Sequence, residues 1–324
     1  MTVRVAAVGA GRMGRGIALA FAYGGYEVDL IDLRPRSSGD WARLSGEARE
    51  DMASSLSMLE ELGAIPEDAA ARLLGRINLC PHSGAADFLA KADVIFECVT
   101  ETLESKKDAF SKICAWARSD AILASTTSTI LVTDLMPFVT QPERLLNAHW
   151  LNPAYVIPLV EMSVHPGTTA AVVDRMRSLL EEIGKVPVVC GPTPGFIVPR
   201  LQALIMNEAA RMVEEGAATA EEIDKATRLG LGLRFAALGV IEFIDYGGND
   251  ILYHASNYLS AKVSPERYAA PEIVKRLMRE DRNGLKSGEG FYDYRGRDLK
   301  EYRKDVLART LGMLRHAGLQ KPPR

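Results

Sequence analysis

The 324-residue sequence predicts an α/β fold: a Rossmann-type doubly wound sheet followed by a C-terminal all-helical domain. Three observations predict it. Short apolar runs alternate with helical patterns from Val3 to Cys190, as the strands and crossover helices of a parallel sheet must. A G-x-G-x-x-G turn, Gly9 to Gly14, joins the first run to the first helical pattern. After Gly191-Pro192-Thr193-Pro194-Gly195 the alternation stops and only helical periodicity continues. The expected domains are therefore 1–191, with a helical insertion at about 39–75, and 192–324.

Composition narrows the class. Apolar residues make up 47% of the chain, enough for a sizeable core and too many for disorder. A net charge of −3, from 39 basic against 42 acidic residues, argues against a nucleic-acid partner. No apolar run reaches about 18 residues, so no membrane span is expected. The chain opens on a strand, without the charged and apolar regions of a signal peptide, which suits a cytoplasmic protein. Cys80, Cys98, Cys114 and Cys190 are widely separated and show no metal-ligand spacing, so no metal is expected.

Taken in order, Val3 to Val8 reads as a buried parallel strand, and Ile17 to Ala22 as the apolar face of the helix after the glycine turn. In this setting Gly9 makes the tight turn, Gly11 lets the backbone approach a pyrophosphate, and Gly14 lets helix and strand pack closely. Arg12 and Met13, between the glycines, open the helix whose positive end would meet that anion. The next strand, Glu27 to Ile31, ends at Asp32, placed to accept the adenosine ribose hydroxyls and to repel a 2′-phosphate. Arg34 and Arg36 could serve such a phosphate, but the acidic residue normally decides, and the expected cofactor is NAD.

The insertion from Gly39 to Leu74 is helical, with Gly63 ending a helix, and between Ser45 and Ala70 its charge is one-sided: Glu47, Glu50, Asp51, Glu60, Glu61, Glu67 and Asp68 face a single Arg49. Asp93 to Val99 is a further strand, and a helix then runs from about Ser105 to Ala117. Strands at Ala121 to Ala124 and Leu145 to Ala148 deliver Ser125 to Ser128 and His149 at their C-terminal ends, where open α/β sheets bind ligands. Pro158 to Met162 carries Glu161 amid apolar residues; a buried carboxylate needs a partner, and His149 is the obvious one. A helix at Val172 to Ile183 and a strand at Val186 to Cys190 complete the first domain. Beyond the linker, Pro199 to Glu215, Ala220 to Arg228, Ala236 to Ile244 and Asn249 to Leu259 read as helices. Phe235, Leu238, Ile241, Phe243 and Ile244 exceed what one helix face needs, and predict a homodimer through this domain.

The chain resembles the 3-hydroxyacyl-CoA dehydrogenase superfamily over nearly its full length. The resemblance rests on GAGRMGRGIA at 9–18, ETLESKK at 101–107, STTST at 125–129, AHWLNP at 148–153, PLVEM at 158–162, PGFIV at 194–198 and GLKSGEGFYDY at 284–294. It implies that His149 is the catalytic acid/base, Glu161 its partner and Ser128 the ligand of the substrate oxygen. By the same resemblance Asn152 belongs to the histidine motif, and Glu101 and Lys106 contact the cofactor. One departure stands out: Pro199 occupies the position of an asparagine in the family's active-site set.

Within the superfamily the chain is most similar to the λ-crystallin and L-gulonate 3-dehydrogenase branch, whose members imply free acids as substrates. The expected activity is thus reversible oxidation of a small free β-hydroxy acid. A hydroxyacyl-CoA dehydrogenase is the alternative, and a non-catalytic crystallin-like protein a second. The insertion lacks the lysines that coenzyme A phosphates would need, and a small carboxylate needs one guanidinium. Arg234 is the candidate for it, with Arg200 as the alternative.

Overall fold

A computed structural model of the chain describes residues 3–320. It divides into two compact units after Ile205. The first contains β1 (Val5–Val8), α1 (Arg12–Tyr23), β2 (Val28–Ile31), α2 (Ser38–Glu61), α3 (Ala69–Leu74), β3 (Ile77–Cys80), α4 (Ala85–Leu89), β4 (Val94–Glu97), α5 (Leu103–Trp116) and β5 (Ile122–Ser125). It continues with α6 (Val132–Leu135), β6 (Leu145–Trp150), β7 (Leu159–Ser163), α7 (Ala170–Glu182) and β8 (Val186–Cys190). The start of α8 (Val198–Glu214) also belongs to it.

The eight strands form one sheet in the order β3-β2-β1-β4-β5-β6-β7-β8. The chain winds outward from β1 to β3, then returns to β4 on the other side of β1, so the direction of winding reverses between β1 and β4. A crevice opens at such a switch point beyond the strand ends. All neighbours are parallel except β6 and β7, which are antiparallel with His149 directly opposite Glu161.

Side chains alternate across the strands and feed two cores. In β1, Val5 and Ala7 join one cluster with Ile17 and Phe21, while Ala6 and Val8 join the other with Phe110. Phe21, Phe96 and Trp150 pack mutually, with ring centroids 5.4–6.1 Å apart. The insertion is less embedded. Its long helix α2, capped by Ser37, buries only Ala48, Met52 and Leu56, a single stripe at four-residue spacing.

The remaining helices are α9 (Ala220–Ala226), α10 (Leu233–Ala237), α11 (Val240–Gly247), α12 (Asn249–Lys262), α13 (Pro265–Tyr268), α14 (Glu272–Arg279) and α15 (Leu299–His316). A π-helical stretch, Thr227–Gly232, links α9 to α10. The helix expected over Ala236 to Ile244 is in fact two, because Leu238 is extended and Gly239 starts α11 afresh. Asp245, fully buried in α11, accepts the backbone N–H groups of Phe291 (3.0 Å) and Tyr292 (2.8 Å), and so ties down the GEGFYDY loop. No helix among the described residues is long and apolar enough to cross a membrane.

Candidate active site

The glycine turn has the shape its residues require. Gly9 has φ +116°, and a Cβ there would meet the Cys98 carbonyl oxygen at 2.6 Å; one on Gly14 would lie 1.9 Å from the Gly9 oxygen. A Cβ on Gly11 would meet nothing within 4 Å. The first two positions are therefore closed by protein, and the third is open at the start of α1, where Arg12 and Met13 present the helix N-terminus. A cavity of about 360 Å³ extends from this turn, lined by Gly9, Gly11, Asp32, Arg34, Arg36 and Val99 among others. These features suit a dinucleotide, with its pyrophosphate over Gly11 and its adenosine toward Asp32.

Asp32 is buried, and its carboxylate is already engaged. It accepts the Arg34 backbone N–H at 3.2 Å and the Nε of Arg36 in an ion pair. The sequence placed these three residues close together but gave no sign of the pairing.

Beyond β4 lies a buried charge cluster. Lys106 is 1% exposed, with its ammonium 2.9 Å from Glu97 and 3.2 Å from Glu101. Glu97, wholly buried, also accepts Ser125 Oγ at 2.6 Å and the Val99 N–H at 2.8 Å. Glu101 in turn gathers the serine–threonine loop: its Oε1 accepts the N–H groups of Ser128 (2.8 Å) and Thr129 (3.2 Å) and the hydroxyls of Thr127, Ser128 and Thr129. Burial alone would raise the Glu101 pKa, but the Thr127 hydroxyl, the Lys106 charge and the Ser128 amide together bring it down to about 2. Lys106 thus lies behind Glu101, fixing it in place. Glu97 was missed in the sequence, although a lone carboxylate at the end of an apolar strand was the available signal.

His149 sits near the end of β6, with Nδ1 2.8 Å from Glu161 Oε2. A carboxylate partner puts the ring proton on Nδ1 and leaves the Nε2 lone pair free, and Nε2 has no protein partner among the described residues. Glu161 is fully buried, and its other oxygen, Oε1, accepts the N–H groups of Ile197 (2.9 Å) and Val198 (2.8 Å) at the start of α8. Phe196 lies against the imidazole with ring centroids 5.5 Å apart, and holds a left-handed φ of +46° to do so. Nothing in the sequence singled out Phe196.

The other expected residues are dispersed. Ser128 and Asn152 are exposed, and neither bonds to His149 among the described residues. Pro199 falls in the first turn of α8, a place proline tolerates. Arg200 is exposed in the same turn. Arg234, in the second unit, donates from Nε to the Gly230 carbonyl at 2.8 Å and lies 5.1 Å from the Phe243 ring centroid. No carboxylate pairs with Arg234 among the described residues, and no group of three potential metal ligands occurs among them.

A glycine-cradled switch-point crevice and a buried histidine–carboxylate pair, both carried by one sheet, define an NAD-dependent oxidoreductase. Similarity to known proteins gives its family. The NAD binding domain of 3-hydroxyacyl-CoA dehydrogenase matches residues 4–193, and the C-terminal domain of 3-hydroxyacyl-CoA dehydrogenase matches 195–294. The chain belongs to that family, whose members act on CH–OH donors.

The chain is 30% identical to the 5-formyl-3-hydroxy-2-methylpyridine 4-carboxylate 5-dehydrogenase of Mesorhizobium japonicum, covering 97% of this chain and 98% of that one. It is 33% identical to the lambda-crystallin of Oryctolagus cuniculus, covering 78% and 76% respectively. The crystal structure of a 3-hydroxyacyl-CoA dehydrogenase from Archaeoglobus fulgidus superposes with a TM-score of 0.76 at 32% identity, covering 98% of this chain and all of that one.

Proposed function

We propose that the protein catalyses reversible oxidation of a free β-hydroxy acid at its 3-hydroxyl, with His149 as general base. The observation that carries this reading is the His149–Glu161 pair, whose carboxylate is held from both sides. His149 Nε2 takes the hydroxyl proton as the carbinol C–H bond breaks and the C=O bond forms. Bound NAD supplies the acceptor for the hydride. Glu161 stabilises the imidazolium, and Ser128 holds the reacting oxygen from the loop that Glu101 organises. In the reverse direction the same imidazolium returns the proton. General acid/base help of this kind is worth about 10²–10⁴-fold.

Charge favours a free acid over a thioester of coenzyme A. Helix α2 carries six acidic side chains against two arginines and no lysine, a poor surface for a polyphosphate. The relative from Mesorhizobium japonicum is named for a carboxylate substrate. Arg234, which has no acidic partner among the described residues, is the proposed anchor for the substrate carboxylate, with Arg200 as the alternative. The helical region 192–324 is proposed to serve substrate binding and homodimerisation.

The test is NADH formation across a panel of free β-hydroxy acids and their CoA thioesters. The highest kcat/KM is expected for a free acid, with KM raised by Arg234→Met. A hydroxyacyl-CoA turned over with far higher kcat/KM than any free acid would overturn the substrate assignment.

A further inference from the structure

Asp32 is the residue that should exclude a 2′-phosphorylated cofactor, yet its surroundings do not repel an anion. Its carboxylate is paired with Arg36, whose side chain remains 26% exposed. Only Arg36 Nε is engaged; its terminal guanidinium nitrogens have no partner among the described residues. The guanidinium of Arg34 bonds to a neutral group, the Thr100 hydroxyl, at 3.3 Å, and no carboxylate pairs with it among the described residues. Two cations, Arg34 and Arg36, thus flank the Asp32 carboxylate at the ribose end of the crevice.

Arg34 and Arg36 also line a second, smaller cavity of about 130 Å³, together with Trp41, Pro81, His82 and Ser83. Both arginines line the larger cavity too, so the two cavities share these residues. Guanidinium groups grip phosphate oxygens with paired N–H bonds.

We propose that Arg34 and Arg36 form a 2′-phosphate subsite beside Asp32, so that the protein binds NADP(H) as well as NAD(H). Asp32 still accepts the ribose hydroxyls of NAD, because each carboxylate oxygen has a second lone pair free. Arg36 neutralises the charge that would otherwise reject the phosphate, and is thus a determinant of cofactor specificity.

Equilibrium titration of the protein with NADH and NADPH tests this without turnover, with 5′-AMP and 2′,5′-ADP as competing fragments. The wild type should bind NADPH within about tenfold of NADH, a difference of no more than about 1.4 kcal/mol. Arg36→Met should weaken NADPH relative to NADH, and 2′,5′-ADP relative to 5′-AMP, by about tenfold or more. Arg34→Met should act in the same direction, and provides a second variant should Arg36→Met fail to fold. A wider gap between the two cofactors in the wild type would overturn the proposal. So would an arginine variant that weakens both cofactors equally.

Discussion

Helix α1, lying on the sheet, buries eight of its twelve residues, whereas α12 buries two of fourteen and α15 one of eighteen. The sheet presents two broad apolar faces, and each flanking helix needs one stripe to cover its share. Helices without a sheet must cover one another. In the second unit they leave Ile251, Tyr258 and Leu307 more than half exposed. Ile251 and Tyr258 are seven residues apart and share one face of α12. The first unit covers its sheet within one chain; the second leaves an apolar face exposed, the face through which the proposed homodimer would form.

If the chemistry belongs to the first unit, His149→Ala should lower kcat by about 10²–10⁴-fold and leave the NAD dissociation constant unchanged. Near-normal turnover would remove His149 from the reaction. Glu161→Gln should do less harm to kcat and chiefly reshape its pH profile.

A unit so fully buried has no slack for an orphaned charge. Lys106→Met strands the buried Glu97 carboxylate and should cost about 3–5 kcal/mol in chemical denaturation. A loss below about 1 kcal/mol would mean that water reaches the cluster.

The second unit should respond in the opposite way. Ile251→Glu with Tyr258→Glu touches only exposed positions and should change stability by about 0.5 kcal/mol or less for each. The same pair should halve the particle mass measured by light scattering. A wild type that is already monomeric at micromolar concentration would show that the exposed face has another use.

The last effect is confined to acid pH. The Glu101 pKa falls from 4.5 to about 2 on folding, so its stabilisation is complete above the unfolded value and is lost as pH drops from about 4.5 toward 2. Glu101→Gln should flatten the stability profile in that window alone. An unchanged profile would deny Glu101 its role in ordering the loop.

Much of the first unit was legible because a parallel sheet writes itself as short apolar runs, and because the glycine turn admits few other shapes. β3 was missed: within Ile77 to Cys80 the exposed Asn78 breaks the apolar run, and the strand stops at Pro81. The helices at 272–279 and 299–316 were missed as well; the first is only eight residues long, and the second buries Val306 alone. At the site, His149 and Glu161 could be paired from strand ends and the cost of a lone buried carboxylate. Phe196, Arg36 on Asp32, and Lys106 behind Glu101 could not, because each depends on the direction a side chain takes after the backbone is placed.

Glu161 divides its two oxygens between the histidine and the amides that open α8. A descendant of this chain relieved of its reaction would still need that carboxylate, since two amide donors would lose their acceptor at about 1 kcal/mol each. Ser128 is under no such constraint: it stands exposed, and its loop is held mainly by other groups on Glu101. Drift would therefore reach the hydroxyl long before the glutamate. Among kin that have exchanged catalysis for some other use, an intact Glu161 carries little news; if Ser128 holds the reacting oxygen as proposed, the fate of the serine tells more.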